Sequence, residues 1–235
     1  MKFSVVTAEP ANIMHPNTGQ KQYAAQAGLG PEDLVLCGEH TYDKYVAPLS
    51  LGTQTLFREK YGKGEPTDGM VDAILDALRE KEFNRIIAIG GGTVVDIAKV
   101  VAVAGKEDKV DDLYDHVDSL KKVHPLVIIP TTCGTGSEVT NISVINRVSK
   151  GVKMGLASNG MLADKAVMIT DMLDSLPYKI FATSSIDAMV HSVESFLSPN
   201  GCSISEIFSA EALKTIIQCW KKSVEAGGGG ASKAY

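Results

Sequence analysis

An aspartate and a histidine lie four residues apart in the segment SSIDAMVHSVES, residues 184–195, whose apolar spacing predicts a helix. Residues four apart on a helix share a face, so the carboxylate of Asp187 and the imidazole of His191 could bind one divalent metal ion. Glu194, three residues beyond His191, is a candidate for a further ligand or for a partner that orients the ligands. The alternative is a hydrogen-bonded Asp–His pair at a domain boundary.

Three consecutive glycines form a second candidate site, in the segment IAIGGGTVVDIAK, between a predicted strand and a predicted helix. Gly90, Gly91 and Gly92 would let backbone N–H groups approach an anion, and a helix N-terminus adds a favourable potential for phosphate. The segment therefore predicts a site for a dinucleotide pyrophosphate, although its spacing is not GxGxxG and a simple tight turn is the alternative. Asp96 lies in the first turns of this apolar helix, where a buried carboxylate requires a partner.

A third candidate is the segment IIPTTCGTGSEVT, residues 128–140, which follows another predicted strand. Hydroxyl side chains and glycines are concentrated there, at the edge where open α/β sheets bind ligands. The hydroxyl residues are Thr131, Thr132, Thr135, Ser137 and Thr140. Thr135 and Glu138 also have the spacing of a capping box, and one turn can serve both as a cap and as a binding loop. Cys133 is disfavoured as a nucleophile because no histidine or other base is close to it in sequence.

The elements that must position these residues follow the pattern of an α/β fold with a mainly parallel sheet. Short apolar runs predict strands that begin at Leu34, Arg85, Pro125 and Lys165, and helical spacing occurs over residues 70–81 and 94–104. After Asp171 the pattern is helical. The sequence thus predicts a Rossmann-like dinucleotide-binding domain over residues 1–174, the start of an all-helical metal-binding domain over 175–226, and a glycine-rich flexible tail over 227–235.

Composition restricts the class of protein. The 235 residues carry a formal net charge of −5, so nothing favours binding to nucleic acid. No apolar run has the length of a membrane span, and the first ten residues do not resemble a secretory signal. The four cysteines, at positions 37, 133, 202 and 219, lack paired metal-binding spacing and are predicted to be reduced thiols. We therefore expect a cytoplasmic protein that acts on a small molecule.

The chain contains the segments GGGTVVD, PTTCGTGSEVTN and DAMVHSVE in this order. With these motifs it resembles the iron-containing (group III) alcohol dehydrogenases, over essentially all of its length to about Ala226. Within that family the segments FREKYGKGEPTDGMVDAI and LPYKIFATSSIDAMVHSVESFLSPN are most similar to the NAD-dependent 4-hydroxybutyrate dehydrogenases. Those enzymes interconvert 4-hydroxybutyrate and succinate semialdehyde. The resemblance implies an oxidoreductase that forms a homodimer or a larger homo-oligomer.

The resemblance also implies a set of NAD-binding residues. The pyrophosphate loop is matched by Gly90, Gly91, Gly92 and Thr93, with Asp96 in its usual place, and the segment along the ribose and nicotinamide is matched by Thr131, Thr132, Thr135 and Ser137. Lys153 lies where the family has a lysine that contacts the cofactor. Glu39 falls where an acidic residue would bind the adenosine ribose hydroxyls and repel a 2′-phosphate, which favours NAD over NADP.

For the metal, the resemblance implies Fe²⁺, or Zn²⁺ in some members, held by one aspartate and three histidines. Asp187 and His191 match the first two ligands, and both act in catalysis through the metal, which polarises the substrate oxygen during hydride transfer. No histidine follows His191, and the other four, at positions 15, 40, 116 and 124, fall in the first predicted domain. We therefore expect a chain truncated before its last two metal-binding histidines.

Other functions stay open at this point. A truncated metal site predicts a catalytically inactive fragment that still binds NAD. A zinc enzyme of the glycerol dehydrogenase or dehydroquinate synthase type shares the fold, although the segment TTCGTGSEVT disfavours both. If the glycines and hydroxyls form turns only, the protein has no affinity for NAD.

Overall fold

A computed structural model describes residues 28–173 and 176–227. The chain forms two compact units. The first contains the described residues through Pro130 together with Ser137–Ile169, and the second contains Thr131–Gly136 together with the described residues from Thr170 onward. The predicted tail, apart from Gly227, and His15 lie outside the described residues.

The strands form a parallel sheet and a separate hairpin. In chain order they are β1 (Asp33–Cys37), β2 (Gln54–Phe57), β3 (Arg85–Gly90), β4 (Leu126–Pro130), β5 (Ile142–Arg147), β6 (Val152–Ala157) and β7 (Lys165–Ala166). The sheet has the order β2-β1-β3-β4-β7 with every neighbouring pair parallel, and β5 pairs with β6 in antiparallel fashion. This arrangement confirms the predicted α/β fold with a mainly parallel sheet.

The α-helices are α1 (Glu39–Thr41), α2 (Asp68–Leu78), α3 (Gly92–Val103), α4 (Val110–Asp115), α5 (Tyr178–Leu197) and α6 (Ser203–Glu225). The first five residues after α1, Tyr42–Val46, form a π-helical turn. Helix α2 begins two residues before its predicted start because the Oγ1 atom of Thr67 accepts a hydrogen bond from the N–H of Met70 at 3.1 Å.

The central strands are almost entirely apolar, apart from Asp33 and Arg85 at their starts, because both faces of the sheet are covered. Every residue of β1 and β4 is buried, as are the last five residues of β3. Helix α3 packs against β3, β4 and β5, and eight of its apolar residues are buried. Continuous apolar runs are typical of strands in such two-sided burial, which is why these strands were predictable. The run KAVMIT was predicted as a longer strand than the two residues of β7.

The β5–β6 hairpin, which the sequence did not predict, belongs to the first unit and is bonded at its turn to the start of α2. Asp68, at the start of α2, accepts hydrogen bonds from the backbone N–H of Val148 at 3.2 Å and of Ser149 at 3.1 Å. The guanidinium of Arg147 forms an ion pair with Asp111 and lies 4.3 Å from the centre of the Tyr114 ring. These contacts with residues distant in sequence stabilise the hairpin, so its signal is weak locally.

In the second unit, α5 and α6 are helices, as their periodicity predicted, and they pack as an antiparallel pair. The rings of Phe181 and Trp220 are 5.6 Å apart, and the loop after β4 contacts the same cluster through Cys133. No helix in the described part of the chain is long and apolar enough to cross a membrane.

Candidate functional site

The carboxyl edge of the parallel sheet brings together two of the predicted cofactor-binding elements. Strands β1 and β3 are neighbours, with Cys37 opposite Ile89. Glu39 follows β1 after one glycine, is exposed, and begins α1, whereas the glycine turn follows β3 directly. Glu39 and the glycines therefore lie at the edge where open α/β sheets bind ligands.

The glycine turn leads straight into helix α3. Gly91 occupies the N-cap position with no side-chain cap, and α3 begins at Gly92. The first N–H groups of a helix have no intrahelical acceptor, so an uncapped N-terminus can receive the oxygens of a phosphate. The backbone of Gly91, at φ −79° and ψ −174°, is open to any residue, so its torsion angles do not require glycine.

At Gly90, unlike Gly91, steric contact with a neighbouring side chain requires a glycine. A Cβ atom there would lie 2.6 Å from the Cγ2 atom of Val94, one turn into α3. The first glycine of the turn is therefore required by packing between β3 and α3.

A loop that the sequence did not identify contacts two predicted cofactor residues. The hydroxyl of Thr93 donates to the carbonyl of Gly64 at 3.4 Å. The ammonium of Lys153, exposed on β6, lies 2.8 Å from an oxygen of Glu65. Glu65 is thus a further charged group beside the predicted site, and an isolated glutamate in a loop carries no sequence signal for this role.

Asp96 and Ser137, both predicted to bind the cofactor, are in contact with each other. The half-buried carboxylate of Asp96 accepts a hydrogen bond from the side chain of Ser137 and another from the N–H of Val144 at 3.4 Å. Burial raises the pKa of Asp96 from 3.8 to about 6, and the nearby ammonium of Lys99 partly offsets this rise. Asp96 therefore has the partner that its position in an apolar helix required.

Lys99 is a residue that the sequence analysis missed. Its side chain is fully buried, and its Nζ atom donates to the hydroxyl of Thr140 at 2.9 Å and to the carbonyl of Ile142 at 2.8 Å. Burial lowers the pKa of Lys99 to about 8, against the opposing effects of Asp96 and Glu138. A lone lysine in the run VVDIAKVVAVAG was the available signal, because a buried ammonium requires partners.

The remaining threonines that were predicted to bind the cofactor belong to the second unit. Thr131 and Thr132 are half-buried directly after β4, and Thr135 is exposed. Between them, Gly134 has a φ of +131°, and a Cβ atom there would lie 2.1 Å from the carbonyl oxygen of Ser184 on α5. The loop of residues 131–136, called here the hydroxyl-rich loop, is therefore packed tightly against α5.

Cys133 has no catalytic surroundings in the part of the chain that the structure describes. Its Sγ atom lies 3.7 Å from the hydroxyl of Ser184, which is not a base of the kind that activates a thiol. The four cysteines, all of which lie within the described residues, are free thiols, as predicted.

The predicted metal ligands lie together on α5. The Oδ2 atom of Asp187 is 3.9 Å from the Nδ1 atom of His191, and the two side chains are 52% and 57% exposed. Across residues 28–173 and 176–227, no group of three or more histidine, cysteine or acidic side chains is arranged to hold a metal ion. The pair supplies two donors of the right chemistry, but the described residues do not complete a four-coordinate site.

Comparison with known proteins finds alcohol dehydrogenases among the similar sequences. The chain is 41% identical over 199 residues to the 4-hydroxybutyrate dehydrogenase of Clostridium kluyveri, covering 85% of this chain and 53% of that protein. It is 36% identical over 235 residues to the long-chain-alcohol dehydrogenase 1 of Geobacillus thermodenitrificans, covering 92% of this chain and 59% of that one. The chain thus spans about half the length of the curated relatives it matches.

A solved structure and a family model agree with these relatives. The iron-containing alcohol dehydrogenase of Thermotoga maritima superposes with a TM-score of 0.75 at 27% identity, covering 92% of this chain and 60% of that one. The model for iron-containing alcohol dehydrogenases matches residues 13–170, more than half of the sequence. The chain therefore belongs to the iron-containing alcohol dehydrogenase family.

Proposed function

We propose that this chain supplies the NAD-binding unit and the first metal-binding helix of an alcohol dehydrogenase, which transfers hydride between NAD(H) and a small primary alcohol or aldehyde. The uncapped start of α3, at the carboxyl end of β3, carries this proposal. It offers N–H groups to a pyrophosphate. The backbone torsion angles of Gly91 would also suit other residues, so they do not explain why a glycine is found there.

The proposed NAD site combines the residues that match the family motifs. These are Glu39, Gly90, Gly91, Gly92, Thr93, Asp96, Thr131, Thr132, Thr135, Ser137 and Lys153. Glu39 favours NAD over NADP because its carboxylate can accept hydrogen bonds from ribose hydroxyls and would repel a 2′-phosphate. Its position at the end of the strand next to β3 supports this role.

For the substrate we propose 4-hydroxybutyrate and succinate semialdehyde, on the basis of the 41% identity to the Clostridium kluyveri enzyme. The family resemblance also favours a cytoplasmic homodimer or larger homo-oligomer, which sedimentation velocity would test. Neither a nucleic acid nor a membrane is part of the proposal.

Asp187 and His191 are proposed as two ligands of Fe²⁺ or Zn²⁺. Because the described residues supply no further group of donors, a second candidate function is NAD binding without turnover. The two functions differ in one measurable property, since only the first yields NADH from an alcohol.

The test joins a calorimetric NAD titration to an NADH absorbance assay with 4-hydroxybutyrate, with and without added Fe²⁺ or Zn²⁺. We expect the wild-type chain to bind NAD and Gly91→Val to lose binding, because the new side chain occupies the approach to the α3 N-terminus. Gly69→Ala is the matched control, since Gly69 lies at the start of α2 with no neighbouring atom within 4 Å of an added Cβ. Metal-dependent NADH formation supports the enzyme, and binding without turnover supports the second candidate. A wild-type chain that does not bind NAD would exclude both.

A further inference from the structure

Among the residues that the structure describes, Lys99 is the most buried charged side chain, with an exposure of 0% in the middle of the apolar helix α3. Removing an ammonium group from water costs free energy that hydrogen bonds in the interior only partly recover. Apolar packing would suit the rest of this helix, where Ile97, Ala98 and Val100 are also fully buried. A lysine here is therefore better explained by what it holds in place than by a gain in stability.

The partners of Lys99 lie on the segment that joins the hydroxyl-rich loop to β5. An ammonium can only donate, so the hydroxyl of Thr140 accepts from Lys99 and directs its single proton elsewhere. That proton points to the carbonyl of Ser137, with an oxygen–oxygen distance of 3.4 Å. The second bond of Lys99 goes to the carbonyl of Ile142, the first residue of β5.

Asp96 closes this arrangement from the same helix. It lies three residues before Lys99 and accepts a hydrogen bond from the side chain of Ser137. The contacts thus form a ring that runs from Lys99 through Thr140 and Ser137 to Asp96. This ring attaches the 137–142 segment to the helix whose N-terminus is the proposed pyrophosphate site.

We infer that Lys99 is a positioning residue for the dinucleotide: it fixes the Ser137–Ile142 segment on α3, so that Ser137 and the glycine turn are held in one arrangement before the cofactor binds. This inference rests on the proposed function. Lys99 does not touch the cofactor, because its side chain is fully buried. Preorganisation of this kind raises affinity by lowering the cost of ordering the site.

The inference is tested by calorimetric NAD titration and by hydrogen exchange, followed by mass spectrometry, on four single variants of the full chain and on the double variant Lys99→Met/Thr140→Val. Lys99→Met removes the ammonium, Thr140→Val removes its acceptor and Thr140→Ser keeps the hydroxyl. Val100→Ala is the control, since Val100 is equally buried on α3 and its loss destabilises the helix packing without touching the ring.

We expect Lys99→Met and Thr140→Val each to weaken NAD binding by about tenfold or more, the loss typical of a hydrogen bond to a charged group. Both should also speed exchange of the amides of residues 137–146 while leaving those of β3 unchanged. Thr140→Ser should restore wild-type affinity, and the double variant should bind no worse than Lys99→Met alone because the two residues act through one contact. Thr140→Val and Thr140→Ser decide the question even if Lys99→Met does not fold.

Equal loss of affinity in Val100→Ala and Lys99→Met would overturn the inference, because general destabilisation would then account for both. Unchanged exchange over residues 137–146 in the Lys99 and Thr140 variants would also overturn it. A wild-type chain that does not bind NAD refutes the proposed function and the cofactor role together, and exchange then still decides whether Lys99 fixes the segment.

Discussion

The backbone N–H of Val144 donates to the Oδ2 atom of Asp96 at 3.4 Å, which connects β5 to α3. Burial raises the pKa of this carboxylate to about 6. In the unfolded chain this carboxylate titrates near 3.8. The folded protein therefore binds the Asp96 proton more tightly, and the resulting stability is fully present below about pH 4 and is lost as the pH rises through about 6.

We predict that the free energy of unfolding of the wild type falls, relative to Asp96→Asn, by roughly 2–3 kcal/mol between pH 3 and pH 7, from about two pK units at about 1.4 kcal/mol each. Urea titrations across this range measure the difference. Asp118→Asn, at an exposed carboxylate, is the control, and its curve should run parallel to that of the wild type. Parallel curves for Asp96→Asn as well would refute the prediction.

Glu39 is predicted to determine the choice between NAD and NADP. Replacing it with glutamine removes the negative charge that would repel a 2′-phosphate and weakens the hydrogen bonds to the ribose hydroxyls. We expect the ratio of NADP to NAD affinity to rise by about tenfold, the effect of one charge-assisted hydrogen bond. Calorimetry with both nucleotides measures it. Asp43→Asn, an exposed acid four residues later, should leave the ratio unchanged; an equal shift in both variants would indicate a general charge effect.

Gly90 and Val94 are predicted to be coupled. Because an added Cβ at Gly90 would lie 2.6 Å from Val94, Gly90→Ala should lower the free energy of unfolding by about 1–3 kcal/mol through overpacking. The double variant Gly90→Ala/Val94→Ala should lose less than the sum of the two single variants, which urea titration of all three would show. Gly69→Ala should be neutral or slightly stabilising. Simple additivity of the two changes would contradict the close contact.

Gly134 is predicted to be indispensable to the second unit. Its φ of +131° is unfavourable for any residue with a Cβ, and the carbonyl of Ser184 is backbone that cannot rotate away. Gly134→Ala should therefore cost about 3 kcal/mol or more, by strain and overpacking together. Gly136→Ala, at φ +62° in open space, should cost only about 1 kcal/mol. The single tryptophan, Trp220, reports on this unit by fluorescence during urea unfolding. Equal losses in the two variants would rule out the steric explanation.

The sequence alone predicted those parts of the fold whose signals are local. The apolar runs of β1, β3 and β4 and the periodicity of α5 and α6 gave the right elements, with ends within a few residues of those observed. The strand β2 and the hairpin of β5 and β6 escaped prediction. The hairpin depends on contacts with distant residues, such as those of Asp68 with Val148 and Ser149, which no short window contains.

In the candidate site, too, the residues with local sequence signals were predictable and those with distant partners were not. Gly90–Gly92 and Asp96 were recognisable because strand, turn and helix are consecutive in sequence. Lys99 was not, because its partners Thr140 and Ile142 lie more than 40 residues away. The assignment of Asp187 and His191 to a metal stays a prediction, as does each assignment of a residue to NAD.

The order of the parallel sheet has a consequence for how the protein reaches its fold. Asp33 on β1 pairs with Arg85 on β3, 52 residues later, whereas α5 and α6 are joined by a short connection. The first unit therefore has a high contact order. Its long loops must close, at a cost in chain entropy, before the hydrogen bonds between strands can form, whereas the helical pair forms from local contacts. During refolding the apolar strands β3 and β4 are therefore expected to pair later than α5 and α6 form.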